Sequence, residues 1–196
     1  MKKILLTALA LGITFGISGC RTYTGKVIKD TPFHDMQKDV AKIGEKGGLA
    51  AIGIGQSSDM QISLEKAKVE ARKNLAQVIT VKVENLQKKF IEEAGDVGKK
   101  AEINQLFSST TKIITSRELM GSMPKKQIMT EDDELFTTYV LMVVNPKVVA
   151  DALEEQLSAQ KAIYARYRAS EGFKELGEEV KRYEAFKKEM DQMLGN

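Results

Sequence analysis

Leu49-Ala-Ala-Ile-Gly-Ile-Gly-Gln-Ser-Ser-Asp59 opens the folded part of this chain, and together with the long periodic run after it decides the fold class. Leu49 to Gly55 is a short apolar run bounded by glycines, which suits a buried strand. Ser57-Ser58-Asp59 supplies a helix start, and Ser58 with Gln61 has the spacing of a capping box. Leu64, Ala67, Ala71, Leu75 and Val78 then recur every three or four residues, with Glu65, Lys66, Lys68, Glu70, Arg72 and Lys73 on the other face. Two small alanines in that stripe let a helix lie close to a sheet. The run Val78-Ile-Thr-Val-Lys-Val83 has the β-branched content of a strand. Leu86, Phe90 and Ala94 nevertheless extend the helical period to a stop at Gly95, so the spacing predicts one helix from about Asp59 to Ala94.

Downstream of Gly95–Gly98, Ala101–Phe107 reads as a short helical segment. Lys112–Thr130, rich in β-branched residues and methionine, reads as a strand with Pro124 at an edge or bulge. Glu131-Asp-Asp-Glu134 is the expected turn. Leu135-Phe-Thr-Thr-Tyr-Val-Leu-Met-Val-Val144 is apolar on both faces, hence a central strand covered on both sides. Asn145-Pro146 then supplies an N-cap and a first-turn proline for a C-terminal helix. Its first part carries Val149, Leu153, Leu157 and Tyr164. Beyond a weak point at Ser170-Glu-Gly172 come Phe173, Leu176, Val180, Tyr183, Phe186 and Met190. A stripe with this near-heptad spacing must be covered, by its own sheet or by another chain. The expectation is self-association or partner docking by the half after Gly172.

The N-terminus has a different character. Lys2 and Lys3 precede an apolar run from Ile4 to Ile17, the layout of a secretory signal and too short for a comfortable bilayer span. It ends Ile17-Ser-Gly-Cys20, which resembles the lipobox of bacterial lipoproteins. That resemblance implies cleavage after residue 19, diacylglycerol on the Cys20 thiol and acylation of the new amino group with a fatty acid such as palmitate. Each buried methylene contributes about 0.8 kcal/mol, so two or three chains anchor stably where one would exchange. Cys20 is the only cysteine, and spending it on lipid leaves no disulfide or thiolate chemistry in an oxidising compartment. Residues 20–48 are polar, hold Pro32 and the only histidine, His34, and close on Gly44-Glu-Lys-Gly-Gly48. They read as a lipid-anchored tether with an r.m.s. span of roughly 25–30 Å, compatible with a short helix around Met36–Ile43. Loss of the two signal lysines takes the net charge from +3 to +1 over 177 of the 196 residues. Such a near-neutral chain gives no footprint for nucleic acid.

From Ala51 to Val83 and again from Leu119 to Val144, the chain resembles the LPP20 family of bacterial lipoproteins. The carrying residues are Gly53-Ile-Gly55, Ser57-Ser58-Asp59, Ala67, Ala71-Arg72 and Leu75-Ala76, then a charged turn leading into Tyr139-Val-Leu-Met-Val143. The resemblance implies an α+β body at 49–145, in which a long helix packs on a small antiparallel sheet in β-α-β-β order. The additional C-terminal amphipathic helix at 146–196 lies outside it. It also implies a place in the envelope of a Gram-negative-type bacterium, often the outer membrane, with some relatives attached to flagellar structures. No catalytic residues come with it.

The residues agree that chemistry is not the expected role. Gly53-Ile-Gly55 lacks the third glycine of a dinucleotide turn, since Ser58 takes its place, and reads as a tight turn with close helix approach. His34 stands without a partner histidine or cysteine, so no metal site or cofactor is expected. Ser57 and Ser58 have no histidine in the body to activate them and read as helix caps. The acids at 131–134 lack the ligand alternation and glycine of a calcium loop. Met120, Met123, Met129 and Met142 read as core filler, with a partner surface as the other reading. The expected function is a non-catalytic outer-membrane lipoprotein. It would face the periplasm and act structurally or in assembly through an envelope protein partner or its own copies. A tethered regulator of a periplasmic enzyme, such as a cell-wall synthase, is the alternative, though reaching the wall favours a longer tether. A periplasmic enzyme ranks third.

Overall fold

The computed structural model describes residues 31–94, 100–117, 119, 122 and 124–194. The segment expected as a signal, Cys20, Gly95, Met120 and Met123 lie outside them.

Helix α1 (Pro32–Glu45) comes first. Thr31 caps it from extended backbone, its Oγ1 accepting from the His34 N–H at 3.2 Å, and Pro32 fits the first turn. Met36 and Ile43 share one face and are buried with Ala50 and Leu141 of the sheet. The span expected as tether, 20–48, is therefore body from residue 32 onward. With α1 ahead of the first strand, the β-α-β-β order does not hold.

Strand β1 (Leu49–Ser57) leads into α2 (Met60–Ala94), one helix straight through 78–83 as its period predicts. The start differs from the expected Ser58–Gln61 box. Asp59 Oδ1 accepts from the Ile62 N–H at 2.9 Å, while Ser57 Oγ accepts from the Asp59 N–H at 3.2 Å. Asp59 reaches the orphan amide at the right distance, so it is the cap. The buried stripe is Ser63, Ala67, Ala71, Leu75, Ile79, Val83, Leu86 and Phe90, with Leu64 and Val78 only flanking it.

Helix α3 (Lys100–Arg117) replaces both the short segment expected at 101–107 and the start of the strand expected at 112–130. Thr110, Thr111 and Thr115 donate their hydroxyls to the carbonyls of Leu106, Phe107 and Thr111, which accommodates these residues in a helix. Ile103, Phe107, Thr110 and Ile114 recur at helical spacing and are buried. Tertiary burial of that face overrides β-branched propensity.

β2 (Pro124–Asp132) and β3 (Leu135–Val144) complete an antiparallel sheet of order β1-β3-β2, with β3 central as expected. The turn is shorter than 131–134, because Glu131 and Asp132 still pair with Phe136 and Leu135. Only Asp133 and Glu134 turn, at φ 45° and 61°. Two positive φ values make the hairpin geometry that matches strand twist and favours Asp-Gly. A left-handed non-glycine residue costs about 1–2 kcal/mol. Glu134→Gly is therefore expected to raise stability by about 1 kcal/mol, read as a higher urea midpoint at unchanged slope.

The C-terminal part is three helices: α4 (Lys147–Ser158), α5 (Lys161–Ala169) and α6 (Glu171–Leu194). Asn145 Oδ1 accepts from the Lys147 N–H at 2.9 Å, and the break at Ser170 is capped by its Oγ accepting from the Phe173 N–H. The break at Ala159-Gln160 has no glycine or proline to announce it. One core lies between the sheet and α2 with α3, α4 and α5. A second lies on the opposite sheet face, beneath α1 and the far half of α6.

Part of the α6 stripe expected to dock on another chain packs on its own body. Leu176 is buried, and Phe173 packs on the first core. Tyr183 and Phe186 pack on the second, beside Ile43. The Lys82–Glu179 pair at 2.5 Å and a Lys89–Glu175 pair tie α6 to α2. A Cβ on Gly48 would sit 2.5 Å from the Tyr183 ring, and one on Gly47 (φ +89°) 2.7 Å from the Glu179 carbonyl oxygen. α1 and the sheet offer Tyr183 and Phe186 an apolar seat, while Val180 and Met190 stay half-buried.

Candidate functional site

The residues weighed for chemistry are placed by the fold as structural parts. A Cβ on Gly53 would lie 2.1 Å from Ala71 N and 2.2 Å from Ala67 O, and one on Gly55 2.1 Å from Ser63 O. The two glycines seat α2 directly on β1. Beneath that contact Ser63 Oγ donates to Gly55 O at 3.1 Å and lies 2.6 Å from Thr138 Oγ1, both side chains buried. Ser57 belongs to the helix start and Ser58 is exposed beside it. His34 sits in the first turn of α1. Glu131–Glu134 are exposed at the hairpin tip, Met142 is buried in the core, and Met129 is half-buried on β2. Among the described residues no three His, Cys, Asp or Glu side chains converge as a metal site would require. No described helix is long and apolar enough to cross a membrane.

A groove of about 1020 Å³ runs along the edge that β1 leaves free among the described residues, walled by α1 on one side and α2 on the other. Phe33, Val40 and Ala41 come from α1, Ala50, Ile52 and Ile54 from β1, and Asn74, Gln77, Val78 and Val81 from α2. Three hydrogen bonds fix how β1 presents its backbone. Asn74 Nδ2 donates to Ile52 O at 2.8 Å and Lys66 Nζ to Gln56 O at 3.0 Å, both from α2. Thr130 Oγ1 donates to Thr137 O from the β2 side, and Thr137 is the residue that faces Gln56. Alternate residues of an edge strand turn their amides away from the sheet, so the outward set is Ala50, Ile52, Ile54 and Gln56. By this alternation Ile54, between the two capped carbonyls, turns its N–H and C=O away from the sheet, and the residue is 39% exposed.

No family model matches the chain, and no curated protein matches it.

The groove was not foreseen from the sequence. A signal for it exists: Leu49–Ser57 carries no charge and no proline, unlike the other edge strand with Pro124, Lys125 and Lys126. That contrast acquires meaning only once the strand order makes β1 an edge.

Proposed function

We propose that the protein is a lipid-anchored lipoprotein of the bacterial envelope, similar to the LPP20 family, with a non-catalytic structural or assembly role through protein contacts. The observation that carries this reading is Ile17-Ser-Gly-Cys20 behind Lys2-Lys3 and an apolar run. Arg21 is not the acidic residue that retains lipoproteins at the inner membrane of enteric bacteria, which favours the outer membrane. Since α1 belongs to the body, only the stretch from Cys20 to Thr31 is left to span lipid to fold, and at full extension it reaches no more than about 40 Å. That short reach supports a partner held close to the membrane over an enzyme regulated across the periplasm.

Expression in a Gram-negative host with labelled fatty acid tests the reading. The wild-type chain should incorporate label and partition into detergent. Cys20→Ala should do neither and should accumulate as uncleaved precursor. A Cys20→Ala chain that is still processed and still partitions with detergent overturns the proposal.

A further inference from the structure

We propose that the groove takes an extended, uncharged, alternately apolar polypeptide segment as a fourth strand on the free edge of β1. This rests on the contact-making role proposed above and names its partner's chemistry, but it does not depend on acylation of Cys20.

The two sheet edges are treated differently. β2 is closed by Pro124, a register shift at its start and Lys126, which pairs with Asp39 of α1 at 2.8 Å. Proline, bulges and lysine are the usual guards of an exposed edge. β1 itself carries none of these, and between Asn74 on Ile52 O and Lys66 on Gln56 O it offers the outward N–H and C=O of Ile54 in a groove. Main-chain bonds to such an edge give affinity, and pockets for alternate side chains give selectivity.

The polar groups around the edge suit a peptide backbone. Gln37, Asn74 and Gln77 bring three side-chain amides, each able to donate and accept. Asn74 spends its Nδ2 on Ile52 O and leaves Oδ1 to accept from an incoming N–H. An acyl chain would leave these amides and the Ile54 backbone without partners, at a desolvation cost. Glu70 is the charged residue lining the groove, already paired by Lys73 at 3.5 Å, and Lys66 at the end of the edge is held on Gln56 O. A neutral main chain is what the lining complements. Phe33, Val40, Val78 and Val81 then form apolar walls for every second side chain of the added strand.

The test uses the chain from residue 20 carrying Cys20→Ser, and a phage-displayed library of random nonapeptides, matched to the nine residues of β1. Selection should enrich uncharged sequences with alternating apolar residues. Binding of a synthetic winner should slow hydrogen exchange at the Ile54 amide by about tenfold or more. Ile54→Pro removes a donor that faces away from the sheet and is tolerable at an edge, so it should weaken binding by a similar factor while the fold still melts cooperatively. Val78→Lys, on the half-buried groove face of α2, should weaken binding without touching the edge amides. The proposal is overturned if no such class is enriched, or if both variants bind the winners like wild type. It is likewise overturned if the Ile54 amide exchanges unchanged in the complex. Light scattering that shows a dimer dissolved by Ile54→Pro assigns the edge to a second copy and also overturns it. Loss of acyl labelling at Cys20 would leave every one of these outcomes readable.

Discussion

Gly53→Ala is expected to remove the cooperative folded state, or to cost above about 4 kcal/mol, the range reached only by severe core lesions. The added methyl would lie 2.1 Å from Ala71 N and 2.2 Å from Ala67 O. Both are helix backbone atoms, so no side chain can rotate out of the way. α2 would have to lift off β1, opening the Ser63–Thr138 contact and the Ala67–Ala71–Leu75 seam together. Against a total of about 5–15 kcal/mol for a domain, this is most of the stability. A urea melt followed by circular dichroism checks it. Gly177→Ala on α6 is the matched control. Nothing lies within 4 Å of its new Cβ, and glycine inside a helix is worth about 1 kcal/mol less than alanine. The same chemical change should stabilise there, and a Gly53→Ala protein that melts with wild type would refute the close seating of α2.

Phe90→Ala is expected to cost about 3–5 kcal/mol as a large-to-small change in the core. Phe90 is fully buried, with ring centroids 6.1 Å from Phe107 and 5.8 Å from Tyr167. Tyr167 in turn lies edge-on to Phe173 at 5.4 Å. One ring therefore joins α2 to α3 and α5, and through Tyr167 to α6. Tyr167 sharpens the test, because its hydroxyl is buried with no hydrogen-bond partner, and burial first, then the charge of Glu154, push its pKa up and keep it protonated. Tyr167→Phe removes that unmet group and keeps the ring, so it should be neutral or stabilising by about 1 kcal/mol. A melt in which Phe90→Ala is mild and Tyr167→Phe is severe would mean that the cluster is organised around the hydroxyl.

The long helix was legible because its apolar period outlasts the β-branched run at 78–83, and periodicity summed over thirty-five residues outweighs local propensity. The same reasoning misread α3. Its threonines look strand-like one at a time, and only their bonds to earlier carbonyls reconcile them with a helix. α1 shows its period at Met36, Val40 and Ile43, but nothing in a polar fourteen-residue stretch says that the sheet has an open face to receive it. The stripe of α6 was legible and its seat was not, since spacing reveals which residues need cover and not what supplies it. The groove is a property of strand order and of two helices placed either side of an edge, so it belongs to no stretch of sequence.

The packing of α6 has a consequence for how the chain matures. Gly47 and Glu179 are 132 residues apart in sequence, and Gly48 and Tyr183 are 135 apart. Loop closure over that distance must precede any reward from those contacts, and such non-local pairings slow folding. α1 therefore cannot acquire its full apolar cover until α6 has left the ribosome. In that interval α1 and α6 still lack the contacts that join them. Emergence of α6, and not of the sheet, is then the event that closes the molecule.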